Sequence, residues 1–326
     1  DYYDYGKDVI DNLSYVISKQ DVAKINQLRD KYFRSSNQEI IDEIKLILDK
    51  YESLDTDAVV LNLFDDTNQK NIGMFNITPD FKAVYQSGLQ NGLKDLSISE
   101  QKSLQNSWKA VTDILPVELF ANFKYFKVGG DGELGTFAYV IPVDNRGKTW
   151  CMTVDPDDIK NDGIFPYTVV HEMSHYISLN ESQVDYKTDS LQRYPQDVYD
   201  DGQCVAKDNS YLQAYYDLFW KDIINDWKID NENPYFYYRH KSEFVTGYSA
   251  SQCAEDFAET FSAYMLMDKA ETPKIQAKFD FFNSYDEFKK LKQDILKNIK
   301  NNNVYVNPTI EIDYNSSFEE AAEIRV

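Results

Sequence analysis

Pro166-Tyr167-Thr168-Val169-Val170-His171-Glu172-Met173-Ser174-His175-Tyr176-Ile177 is the stretch on which the reading of this sequence turns. Pro166 suits the first turn of a helix, where an N–H would be unpaired anyway. Val169, Val170, Met173 and Ile177 then recur with the spacing of a buried helical stripe. On such a helix His171 and His175, at i and i+4, project from one face with Glu172 beside them. The chain has only three histidines, and two of them fall in this HExxH pattern.

Two imidazoles at that spacing can reach one Zn2+ at about 2.0 to 2.1 Å, with the intervening glutamate next to a metal-bound water. Zinc lowers the pKa of that water towards about 7, so Glu172 can take its proton while the same metal polarises a carbonyl. A catalytic zinc also needs a third protein ligand and an open fourth position. An HExxHxxGxxH site would require glycine at Ser178 and histidine at Glu181, and neither is present, although Glu181 offers an oxygen. His240 is the one remaining histidine. The other source is a separate helix carrying Glu255-Asp256-Phe257-Ala258-Glu259. Glu255 and Glu259 share a face there, so one carboxylate can ligate while the other accepts a hydrogen bond from a ligating histidine. A purely structural zinc site fits poorly, since it favours four cysteine or histidine ligands and gains nothing from Glu172.

Thr168-Val169-Val170-His171-Glu172-Met173-Ser174-His175, Tyr248 seven residues before Glu255, and Glu255-Asp256-Phe257-Ala258-Glu259-Thr260-Phe261 form a wider pattern. With Asp131-Gly132-Glu133 and Phe137-Ala138-Tyr139-Val140 upstream, it resembles the glutamate-ligand zincins, or gluzincins. Within them it is similar to the lethal-factor-like peptidases and to a group of bacterial zinc-binding metallopeptidases, over roughly residues 97 to 267. The resemblance implies a twisted sheet over the HExxH helix, one catalytic Zn2+ on His171, His175 and Glu255, and Glu259 behind a ligating histidine. It further implies that Tyr248 directs its hydroxyl at the oxyanion of a peptide or protein substrate. Two departures stand out: Ser174 where glycine is common, and Cys253, whose thiol lies two residues from the implied ligand.

Around this motif the sequence predicts an α+β protein with a mainly helical accessory domain over 1–95 and a zincin-like metallopeptidase domain over 96–326. Val9, Ile10, Leu13, Val16 and Ile17, then Ile40, Ile41, Ile44, Ile47, Leu48 and Tyr51, mark buried helical stripes. Ala58 to Phe64 and Asn71 to Ile77 read as a β-hairpin across Asp-Asp-Thr-Asn-Gln-Lys, and the polar stretch Gln86 to Asp95 as a domain boundary. Ser97 and Glu100 have capping-box spacing before a helix that Pro116 ends. Phe123 to Val128, Thr136 to Ile141 and Thr149 to Val154 read as a small antiparallel or mixed sheet, the last run as an edge that pairs with an extended substrate. Further helices are expected over Ser210 to Trp227 and Ser251 to Met267, the second with Ser249 and Gln252 at capping-box spacing. Tyr235 to Tyr238 reads as packing, and Arg239 and His240 as salt-bridge partners.

A formal net charge of −21 argues against nucleic acid as a partner and favours solubility and attraction of basic peptides. No run of about 18 apolar residues is present to span a membrane. A start at Asp1 with a polar first segment suggests a signal or anchor segment lying upstream, hence a secreted or cell-surface protein, expected as a monomer. Cys151, Cys204 and Cys253 allow one disulfide, with Cys204 and Cys253 the pair to test, or buried free thiols. The competing expectation is a non-catalytic surface-binding or adhesion module on a zincin scaffold.

Overall fold

The computed structural model describes residues 5–65, 70–130, 138–160, 162–187, 192–230 and 235–308. In chain order these form helices α1 (Tyr5–Leu13), α2 (Lys19–Ser35), α3 (Gln38–Leu48) and α4 (Thr56–Leu63), strands β1 (Lys70–Ile77) and β2 (Ala83–Tyr85), and helices α5 (Gly88–Asn91) and α6 (Ile98–Thr112). Strands β3 (Phe123–Gly130), β4 (Ala138–Pro142) and β5 (Trp150–Val154) precede helix α7 (Phe165–Leu179) and the strand pair β6 (Val184–Tyr186) and β7 (Cys204–Ala206). Helices α8 (Tyr211–Phe219), α9 (Ile224–Asp230), α10 (Tyr235–His240), α11 (Cys253–Leu266), α12 (Pro273–Asn283) and α13 (Asp286–Asn301) complete an α+β architecture. The chain separates into two compact units: residues 1–109, 120–136 and 149–157 in the first, and 110–119, 137–148 and 158–326 in the second.

In the first unit most of the apolar stripe residues read from the sequence face inward: Val9, Leu13, Ile17, Ile40, Ile44 and Leu48 are all buried. The capping box forms, with the Ser97 hydroxyl accepting from the Glu100 N–H and Glu100 accepting from the Ser97 N–H. Ala58 to Phe64, expected as one strand of a hairpin, is instead mostly helix α4. Asp55 caps it by accepting from the Ala58 N–H, and Ala58, Val59 and Leu63 are fully buried. A short helix buried nearly all round reads as a continuous apolar run, which periodicity cannot tell from a strand. The hairpin that does form pairs β1 with β2, Phe75 opposite Tyr85. Strand order in this unit is β2-β1-β3-β5, antiparallel except for β3 with β5. All five residues of β5 are buried, so the expectation that Thr149 to Val154 serves as an open substrate-pairing edge does not hold. A parallel strand covered on both faces reads as an unbroken apolar run, as Trp150-Cys151-Met152 does. Asp131, Gly132, Glu133 and Phe137, part of the upstream pattern, lie outside the described residues.

The second unit is centred on α7 packed against α11. Asp256 of α11 fixes the outer side of that pair. It is fully buried and accepts hydrogen bonds from Lys278 Nζ at 2.6 Å, Trp220 Nε1 at 2.8 Å and the Tyr215 hydroxyl at 3.0 Å. Lys278 Nζ also donates to the Glu243 carbonyl and sits 4.6 Å from the centre of the Phe244 ring. Burial pushes the Asp256 carboxyl up, with Lys278 pulling against it, so the carboxylate depends on its partner for its charge. The helix expected over Ser210 to Trp227 is interrupted between α8 and α9, where fully buried Trp220 turns its indole towards Asp256. Ser249 does not cap α11: Gln252 occupies the N-cap in extended conformation without a side-chain cap bond, and the Ser249 hydroxyl donates to the Thr246 carbonyl. In α10, Phe236 and Tyr237 are buried while Tyr235 and Tyr238 are exposed, so only half of that aromatic run is packing. Arg239 and His240 both pair with Asp226.

All three cysteines are free and buried, and burial raises each thiol, Cys151 to about 12. No helix among the described residues is long and apolar enough to cross a membrane. Thiol titration of the native protein should give almost no prompt reaction and three equivalents after denaturation. Lys278→Ala, which strands Asp256 in the core, should lower unfolding free energy by about 3–5 kcal/mol in a urea titration.

Candidate metal centre

Helix α7 begins with Pro166 in its first turn and buries Val169, Val170 and Met173, which leaves His171 and His175 on the face turned towards α11. Serine at position 174, the departure noted in the sequence, is accommodated locally. Its side chain is fully buried and its hydroxyl donates to the His171 carbonyl at 2.7 Å. Helix α11 packs closely on α7: the Ser262 hydroxyl has two carbonyls in range, Ala258 of its own helix at 3.1 Å and Tyr167 of α7 at 3.3 Å. This close approach carries Glu255 and Glu259 to the two histidines.

Three donor atoms then converge. His171 Nε2 and His175 Nε2 are 3.1 Å apart, and Glu255 Oε2 lies 3.1 Å from the first and 3.2 Å from the second. Ligands bound tetrahedrally at about 2.0–2.1 Å stand about 3.3 Å from one another, so this near-equilateral triangle has the size of one face of such a site. Glu255 Oε2 is buried without an aligned hydrogen-bond partner, and so is His175 Nδ1. Burial pushes the Glu255 carboxyl up, yet His175 and His171 outweigh it and hold the group well below the ordinary range. An ionised oxygen facing two imidazole nitrogens calls for positive charge between them, and the donor set suits a cation.

His171, Glu172 and His175 form a group that could hold a metal ion, with donor atoms all within 4.8 Å of one another. Glu172 Oε1 lies 4.0 Å from His171 Nε2, while its other oxygen accepts from the Val140 N–H of β4 at 3.1 Å. Burial raises the Glu172 carboxyl, and the two histidines offset this only in part. The side chains of His171, Glu172, His175 and Glu255 keep 10%, 13%, 14% and 12% exposure, so the group is recessed but reachable from solvent.

Glu259 stands behind His171, its Oε1 2.7 Å from Nδ1. The contact is short, but Nδ1 is not well aligned for a hydrogen bond, so charge attraction dominates it. Burial works against a charged His171 imidazole, but Glu255 and Glu259 together raise its pKa well above the ordinary value. Tyr248 opens the 3-10 turn that leads into α11, with its ring centre 6.0 Å from that of His171. Burial, then the charges of Glu255, Glu172 and Glu259, push its hydroxyl well up, so it remains a donor at neutral pH. Cys253 is buried against a different neighbourhood, where Asp256 and Lys278 act on its thiol.

The sequence reading gave no role at the site to Val140, Thr246 or Ser249, although Val140 lies in its upstream pattern and Ser249 was read as a cap. Val140 contributes a backbone N–H and leaves no side-chain signal. Thr246 and Ser249 carry one, a threonine and a serine three residues apart, which is the spacing of a hydroxyl-closed turn. No protein-family model, curated protein or solved structure matches the chain. The reading of the site therefore rests on its own geometry. The wild-type chain should bind one divalent cation in metal analysis after dialysis, and His171→Ala or Glu255→Ala should weaken that binding by at least about 100-fold.

Proposed function

We propose that the chain is a zinc-dependent endopeptidase of the glutamate-ligand zincin type, with His171, His175 and Glu255 as the metal ligands. The observation that carries this reading is the triangle of donor atoms with sides of 3.1, 3.1 and 3.2 Å, flanked by a glutamate that is not one of its corners. Zinc held there supplies a Lewis acid for a peptide carbonyl and makes water a competent nucleophile near neutral pH.

Glu172 is the general base. The Val140 N–H fixes one carboxylate oxygen, and burial makes the group more basic than an exposed glutamate, which favours proton uptake from the attacking water. Tyr248, kept protonated by its surroundings, donates to the carbonyl oxygen as negative charge develops on it. Glu259 orients His171 from behind. Strand β4, half-exposed along its length and in contact with Glu172 through Val140, takes the substrate-positioning role that the sequence reading gave to Thr149 to Val154. The net charge of −21 favours capture of basic peptide segments.

The deciding experiment measures zinc content and cleavage of a mixed peptide library for wild type and Glu172→Ala. Both proteins should carry one zinc, and kcat/KM should fall by about 100- to 10,000-fold in the variant. Equal cleavage by the two would remove Glu172 from the mechanism. Zinc in both with cleavage by neither would favour the non-catalytic binding module.

A further inference from the structure

We infer that Thr246 is a positioning residue for the metal centre, acting through Glu259 on His171; this rests on the zinc-site reading above. Thr246 and Ser249 are 3% and 0% exposed, and their hydrogen bonds close on each other. The Thr246 N–H donates to Ser249 Oγ at 3.0 Å, the Ser249 N–H donates to Thr246 Oγ1 at 3.1 Å, and the Ser249 hydroxyl donates to the Thr246 carbonyl at 2.6 Å.

Counting protons then fixes the one that is left. Ser249 has spent its hydroxyl proton on a backbone carbonyl. The Thr246 hydroxyl has two acceptors in range, Ser249 Oγ at 3.3 Å and Glu259 Oε2 at 2.8 Å. The shorter, charge-assisted bond to the carboxylate takes it. With Oε2 so held, the Glu259 carboxylate cannot rotate freely, and Oε1 faces His171 Nδ1 at 2.7 Å. The negative charge 2.7 Å from Nδ1 favours a proton on that nitrogen and so leaves the Nε2 lone pair for the metal.

Thr246 lies outside the donor triangle, and it decides where Glu259 points. The turn it closes also carries Tyr248, so one pair of hydroxyl residues sets the backbone of the phenol donor and the carboxylate behind the ligand.

The test compares Thr246→Val and Thr246→Ser in the full chain by zinc affinity, measured by competition with a chromogenic chelator, and by melting of the zinc-free protein. Thr246→Val should weaken zinc binding about 10-fold and Thr246→Ser should restore it to within about twofold of wild type. In a Glu259→Gln background Thr246→Val should cost nothing further, because the route through Glu259 is already cut. Should valine prevent folding, Thr246→Ala takes its place and is read the same way. Unchanged zinc affinity in the hydroxyl-free variant, or an equal loss in the Glu259→Gln background, overturns the proposal. A wild-type chain that binds no zinc would instead sink the metal-site reading itself, an outcome visible before any Thr246 variant is made.

Discussion

Two imidazole nitrogens and an ionised carboxylate oxygen, all within 3.2 Å of one another in a recessed site, are tolerable only if positive charge lies among them. That requirement organises the second unit. Helix α7 must present His171 and His175 on one face, and α11 must approach closely enough for Glu255 to reach both. Small and hydroxyl-bearing residues at the contact, Ser174 and Ser262 among them, allow this by turning their polar atoms onto helix carbonyls.

The same helix α11 carries carboxylates with different duties on different faces. Glu255 and Glu259 face the histidines, whereas Asp256 is pinned in the core by Lys278, Trp220 and Tyr215. A helix held by a buried charged network on a second face has little freedom to rotate about its axis. Removing either member of the Asp256–Lys278 pair would therefore disturb the site's frame as well as global stability. Consecutive residues 255 and 256 diverge because a helix advances about 100° per residue.

Hydroxyl chemistry extends the frame outward. In the Thr246–Ser249 turn the two backbone N–H groups and the Ser249 hydroxyl are paired within the turn, and the Thr246 hydroxyl proton goes to Glu259, which in turn faces His171. Such a chain of partners gives precision without a large apolar contribution, since each link restricts the next to one orientation.

The sequence alone determined those features whose cause is local. The i, i+4 pair on α7, the Ser97–Glu100 capping box, the buried stripes of α1 and α3, and the closeness of Glu255 to Glu259 on one helix all follow from 3.6-residue periodicity and short-range hydrogen bonding. Tertiary structure decided the rest. That Ala58 to Phe64 is mostly helix and that Thr149 to Val154 lies in the core was not legible locally, because a segment buried on nearly every side shows no periodic signal. The Ser249–Gln252 pattern gave way because Ser249 spends its hydroxyl on Thr246. That Glu255 rather than Glu181 meets the two histidines depends on the packing of α11 against α7. Contacts between residues far apart in the chain carry no local spacing for a sequence to display.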